Sequence, residues 1–141
     1  MNNKNTLIYT ERFDNSFSLF KLLFIGFCAA LGAFLFVSDA IGFLSCLLFI
    51  ALSIRYYFKR LSSLEFYGDY VVFNCMHSAY NRIWNYDNIQ SIKMFYIVFA
   101  FETCMIVRLS NGKRLMYWLD FNLRKSEYAI YLFKSNSVII K

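Results

Sequence analysis

The sequence predicts a membrane α+β protein: an N-terminal transmembrane helical hairpin, then a small antiparallel β domain closed by a C-terminal helix. Three observations predict it. Residues 22–54 form an apolar run with one charge, Asp39, near its middle. Residues 61–119 alternate between apolar and polar positions around turn signals, of which Asn111-Gly112 is the clearest. From about residue 122, apolar side chains recur at the helical period instead.

Residues 1–16 are expected to form a cytoplasmic N-terminal tail. The hairpin follows at 17–60. The hydrocarbon core of a bilayer is about 30 Å thick and takes about 20 helical residues to cross, so one unbroken helix over the apolar run would overshoot it. An ionised carboxylate at the bilayer centre costs roughly 3 kcal/mol. A turn at Val37-Ser38-Asp39-Ala40 moves Asp39 to the headgroups, leaving crossings at about 17–37 and 40–58. Lys21 and Arg55, near the ends of the crossings, snorkel to the interface. Lys4, Arg12 and Lys21 precede or open the first crossing, Arg55, Lys59 and Arg60 close the second, and the turn has no cation. By the positive-inside rule both termini face the cytoplasm. Gly26, Ala29, Ala30 and Ala33 form a small-residue packing face on the first helix, with Gly42 and Cys46 as a counterpart on the second. That face seats the two helices on each other, or receives a partner's helix or a second copy in a homo-oligomer.

The cytoplasmic β domain spans 61–141. Residues 64–67 and 70–73 flank Gly68-Asp69 as a hairpin, 75–81 are polar and irregular, 82–84 form a third strand, and 89–99 a fourth. Residues 103–109 and 113–118 flank Ser110-Asn111-Gly112. With Asn111 and Gly112 as a two-residue loop, Arg108 would face Leu115 and Leu109 would face Arg114, which mixes the faces and points to a loop longer by a residue or two. Asp120 and Asn122 are both suitable N-caps for the last helix. Its apolar positions Leu123, Ile130, Phe133 and Tyr131 should plug the sheet, leaving Arg124, Lys125 and Glu127 to water. Residues 138–140 read as a short last strand or a membrane-surface contact. With no Pro and five Gly, no flexible linker joins the two parts, and Arg60-Leu61-Ser62-Ser63 is the whole connection.

Apolar residues make up 59% of the chain and charged residues 17%, so a polar part must stand outside the lipid. Half of the net charge of +6 falls in residues 61–141. Beside a cytoplasmic leaflet, such an excess favours anionic headgroups by about 1 kcal/mol per cation. Lys59, Arg60, Arg82, Lys93, Arg108, Lys113 and Arg114 are the candidate lipid or partner contacts. No dense basic stripe or nucleic-acid module is present, which argues against nucleic acid as a partner. Four cysteines without a CxxC pair suit reduced thiols, and Cys75, His77 and Cys104 are too scattered for a zinc site, so no metal or other cofactor is expected. There is no Gly-rich phosphate loop, no His-Glu zinc pair and no Gly-x-Ser-x-Gly elbow, and His77 is the only histidine. The chain is not expected to be an enzyme and no catalytic residue is assigned.

A short tail, a two-helix hairpin, the strand pair FYGDYVVF, the step IWNYDNIQSI, the hairpin IVRLSNGKRLMYW and a closing helix together resemble the bacterial pleckstrin-homology-like membrane proteins, including the YcxB-like group. Tyr67-Gly68-Asp69-Tyr70, residues 83–89 and Asn111-Gly112-Lys113 stand at that family's recurrent turns. The chain departs from the pattern in its polar insert at residues 76–81. The resemblance implies a PH-like, partly closed β-barrel capped by the C-terminal helix, a multi-pass location in the bacterial inner membrane, and no shared catalytic residues. The function expected is a PH-like module binding a partner protein or anionic lipid at the membrane surface. The alternatives are an immunity protein that neutralises a membrane-acting or cytoplasmic toxin, and a small subunit of a membrane complex.

Overall fold

A computed structural model describes residues 6–35, 39–97, 102–119 and 127–140. Within them the chain is α+β, with elements in the order β1 (Leu7–Arg12), α1 (Ser16–Leu35), α2 (Ala40–Phe58), β2 (Leu61–Tyr67), β3 (Tyr70–Cys75), β4 (Arg82–Asn85), β5 (Ile89–Ile97), β6 (Glu102–Leu109), β7 (Arg114–Leu119), α3 (Glu127–Ser135) and β8 (Ile139–Ile140). The strands form two four-stranded sheets, ordered β1-β2-β3-β4 and β7-β6-β5-β8.

Asp39 marks the start of α2 as its N-cap, where its Oδ1 accepts the Ile41 N–H at 3.1 Å. Val37 and Ser38 lie outside the described residues. α1 packs along α2 in the opposite direction: Lys21 and Leu22 lie beside Tyr56 and Tyr57, and Ala29 beside Ser45 and Cys46. The seam on α1 runs through Ile25, Ala29 and Gly32, where a Cβ at Gly32 would stand 3.3 Å from Cys46 Sγ. As the face that seats the two helices on each other, the expected one is corrected by one residue along α1. Ala29 belongs to the seam, but Gly26 opens onto empty space and Ala30 is exposed, while Ala33 and Gly42 are half-buried. No residue of α2 is buried. Among the described residues one helix, Ala40–Phe58, is long and apolar enough to cross a membrane, and the apolar stretch Leu19–Leu35 is shorter.

The segment expected as a tail contributes a strand. β1 pairs antiparallel with β2, Thr10 opposite Glu65, because the Leu-Ile-Tyr-Thr run suits an extended edge strand. The chain therefore enters α1 and leaves α2 at the same end. Asn15 fastens that end, its Nδ2 donating to the Leu61 carbonyl at 3.0 Å.

The expected strands at 64–67, 70–73 and 82–84 lie within β2, β3 and β4, with Phe66 opposite Val71 and Val72 opposite Ile83. The polar insert holds a 3-10 turn at Ser78–Tyr80, capped by His77, whose Nδ1 accepts from the Ala79 N–H at 3.2 Å. At the β6–β7 hairpin, Arg108 faces Arg114 and Val107 faces Leu115, so the loop is one residue longer than Asn111-Gly112, as the mixed faces of the two-residue register indicated. The three-residue loop closes with Gly112 N–H donating to the Leu109 carbonyl at 3.0 Å, and Gly112 sits at φ 82°. The shift turns Val107, Leu109, Tyr117 and Leu119 inward and both arginines outward.

Leu61, Leu64, Phe66, Val71 and Phe73 of the first sheet meet Ile92, Met105, Val107 and Leu109 of the second in one core, where Phe73 stacks on Tyr117 at 5.0 Å. α3 closes it with Ala129, Leu132 and Phe133, the last packed edge-on against Phe66 at 4.9 Å. Tyr131 is exposed and Ile130 only half-buried, a correction to the expected face, while Asp120, Asn122, Leu123, Arg124 and Lys125 lie outside the described residues. After α3 the buried Val138 leads into β8, which pairs in parallel with β5.

Candidate functional site

Two residues, Lys59 and Arg60, separate α2 from β2, so the helical pair meets the sheets without a spacer. The Met76 N–H donates to the Arg60 carbonyl at 2.8 Å, which fixes the backbone and turns the Arg60 side chain inward. There it is 1% exposed and pairs with Glu102 at 3.0 Å. Glu102 Oε1 also accepts from Lys21 Nζ at 3.0 Å, and its Oε2 from the Tyr56 hydroxyl at 2.7 Å. Burial alone would raise the Glu102 carboxyl, but the hydrogen bonds from Tyr56 and Lys21 and the charges of Arg60 and Lys21 outweigh it and hold the group below its ordinary value. A buried arginine is tolerated because a carboxylate meets it.

On an adjacent face of α2 lies an open groove of ≈ 510 Å³. Four cations line it, Arg55 and Lys59 from α2, Arg82 from β4 and Arg114 from β7, and among the described residues no carboxylate does. Aromatic groups stand among them. Lys59 Nζ lies 5.5 Å from the Tyr80 ring centre, and Trp118 packs at 5.5 Å on Tyr56. Arg82 is held by donating to the Asn81 carbonyl at 2.6 Å and the Ala79 carbonyl at 3.1 Å. Burial pushes the Cys75 thiol up to about 11 against the opposing charge of Arg82, and the Tyr117 hydroxyl up to about 12. Both stay neutral near pH 7, so the charge of the groove is that of its arginines and lysine.

A smaller hollow of ≈ 300 Å³ lies beside Arg114 on the outer face of the second sheet, past Arg108 and Lys93, with Phe95 and Ile106 between them. Arg108 and Arg114 stand directly opposite across β6 and β7. Like charges in that relation destabilise a sheet, so the pair is held at a cost to stability. Since Arg114 lines both hollows, the two form one basic track from the end of α2 to the middle of β5.

The track gathers Lys59, Arg82, Lys93, Arg108 and Arg114 from the residues expected to meet lipid or partner. Lys113 lies at the β6–β7 turn, away from it. Arg60 is corrected: it points inward because Glu102 offers a buried ion pair that the surface does not. Sequence reading assigned Arg55 to snorkelling and to setting the topology of the hairpin, although it stands four residues before Lys59 and so shares a helical face with it. Glu102 carried no local signal, since its partners Lys21, Tyr56 and Arg60 are all more than forty residues away.

Comparison with family models, with curated proteins and with solved structures finds no match. The resemblance to the pleckstrin-homology-like proteins therefore rests on the pattern of turns and strands.

Proposed function

We propose that the chain is a membrane-anchored binding module: α1 and α2 cross the bacterial inner membrane as a hairpin, and the basic track beside the end of α2 binds the headgroups of anionic lipids on the cytoplasmic leaflet. Support for the anchor comes from exposure. Phe20, Leu23, Phe27 and Phe34 on α1 and Ile41, Leu44 and Leu48 on α2 are exposed on helices that the sheets leave uncovered. A patch of that extent is foreign to the surface of a soluble monomer and natural in lipid. Both helices connect to the same sheet at one end, as a hairpin with its flanks on one side of the membrane requires.

The observation that carries the lipid reading is the convergence of Arg55, Lys59, Arg82 and Arg114 on one groove, which no carboxylate lines among the described residues. The position of Arg55 and Lys59 at the end of an apolar helix supports a groove at headgroup depth, where arginine meets phosphate with paired donors. Tyr80, Tyr117 and Trp118 suit the same depth. The reading involves no catalytic step.

The test is lipid retention. The full-length protein, extracted in mild detergent, is expected to keep phosphatidylglycerol in preference to phosphatidylethanolamine, to lose it as salt is raised, and to lose the preference in the Arg82→Gln/Arg114→Gln double variant. Equal retention of the two lipids, or a preference unchanged in the double variant, rejects the lipid reading.

A further inference from the structure

The four cations of the groove keep their charge. Arg55 stands in the last turn of α2, and Lys59, its C-cap, lies one turn on, about 6 Å further along the axis. The Lys59 ammonium meets the neutral ring of Tyr80. Arg82 uses one nitrogen, Nη1, for the carbonyls of both Ala79 and Asn81, which fixes the direction of the side chain without neutralising it. Arg114 faces Arg108 across the strands instead of an acid. Among the described residues none of the four forms an ion pair, and Glu102, which Tyr56 meets from this side, is already matched by Lys21 and Arg60.

These cations stand on two walls, Arg55 and Lys59 on the helix and Arg82 and Arg114 on the sheets. Trp118 packs on Tyr56, the residue after Arg55, and four residues of extended strand carry Arg114 about 13 Å from it. The groove thus runs from the helix end along the sheet. A single phosphodiester brings one negative charge to four cations and leaves most of them unmatched, while a diphosphate gathers its charge at one point. Two phosphates held apart by a short bridge meet both walls, one at each.

We propose that the groove takes a diphosphatidyl lipid of the cardiolipin class, with one phosphate at Arg55 and Lys59 and the other at Arg82 and Arg114. This rests on the lipid reading above and narrows it from any anionic headgroup to one with two bridged phosphates. Basic pockets beside membrane helices on the cytoplasmic side suit such heads.

The experiment exchanges full-length protein in mild detergent with cardiolipin, phosphatidylglycerol and phosphatidylethanolamine at equal phosphate, and reads the retained lipid by mass spectrometry. Cardiolipin should exceed phosphatidylglycerol about tenfold or more. Undecaprenyl diphosphate, whose two phosphates share an oxygen, should displace cardiolipin only in excess. Arg55→Gln/Lys59→Gln and Arg82→Gln/Arg114→Gln each strip one wall, and each should abolish the advantage of cardiolipin over phosphatidylglycerol, with thermal melting used to verify that the variants are folded. Cardiolipin retained no better than phosphatidylglycerol, with both ahead of phosphatidylethanolamine, overturns the proposal and leaves the lipid reading standing. If neither is ahead of phosphatidylethanolamine, both are overturned. Displacement by an equal amount of undecaprenyl diphosphate, or a folded variant that keeps the full advantage, also overturns the proposal. The lipid comparison and the displacement use the unaltered chain and stand whether or not the variants fold.

Discussion

Glu102 accepts hydrogen bonds from Lys21, Tyr56 and Arg60, side chains from three different points where the helical pair meets the sheets. Replacing it with Gln keeps the shape and removes the charge that compensates the buried Arg60. Removing one partner of a buried pair costs about 3–5 kcal/mol, so Glu102→Gln should lower the melting temperature clearly in detergent, and a melting temperature equal to that of the parent protein would show the pair to be dispensable. The same carboxylate sets an acid limit. Its native pKa is held below the unfolded value of about 4.3, so its contribution is complete above that pH and disappears as pH falls through the native value. Acidification below about pH 4.3 should therefore destabilise the parent protein more than Glu102→Gln, as read by paired melts. Arg108 obeys the opposite logic. Arg108→Thr relieves a like-charge pair with Arg114 and should stabilise the fold by roughly 0.2–1 kcal/mol while weakening phosphatidylglycerol retention. A variant both less stable and equally retentive contradicts the view that the arginine pair is kept for binding.

Elements were legible where one local rule decides them. The bounds of α2 follow from an apolar run that starts after the turn charge Asp39, and the β2–β3 hairpin follows from Gly68-Asp69 between aromatic and β-branched runs. β1 was hidden because its reason is remote: Leu7–Arg12 becomes a strand by pairing with β2 across the whole helical pair, and its charges read equally well as topology signals. The β6–β7 register was half legible: the two-residue loop visibly mixed faces and so called for a longer one, but its length of three residues, with Gly112 left-handed, is fixed only by the pairing of the strands. Gly112→Ala should cost about 1 kcal/mol in stability, measured by denaturation, because an L side chain resists that backbone. In the helical pair, small residues were visible, but which of them face α2 depends on the angle at which the helices meet. Gly32 lies in the seam and Ala30 outside it. Gly32→Leu is therefore expected to disrupt the folded chain and Ala30→Leu to leave it intact, as read by elution in detergent and melting. If both behave alike, the seam has been misplaced.

For the whole molecule the decisive relation is between sidedness and strand pairing. β1 precedes the helical pair and β2 follows it, and the two strands share hydrogen bonds, so whatever the helices cross, both flanks must stay on one side of it. The basic track and the Glu102 cluster lie at that same end, whereas Asp39 lies at the other. A membrane arrangement thus assigns positions far apart in the chain to opposite compartments. Asp39→Cys should react in intact cells with a maleimide that does not permeate the inner membrane, while Ser110→Cys, in the exposed loop between β6 and β7, should react only after the membrane is opened. The native thiols serve as the background, Cys75 and Cys104 being buried among the sheets and Cys28 and Cys46 lying along the apolar helices. Labelling of both positions in intact cells, or of neither, is incompatible with a spanning hairpin. It would make α1 and α2 an apolar pair that some other surface must cover, and it would remove the headgroup depth on which the assignment of lipid to the Arg55–Arg114 groove depends. Labelling of Ser110→Cys alone would invert the topology instead, leaving the hairpin in place but setting the cations against the outer leaflet, contrary to the positive-inside bias of Lys21, Arg55 and Lys59.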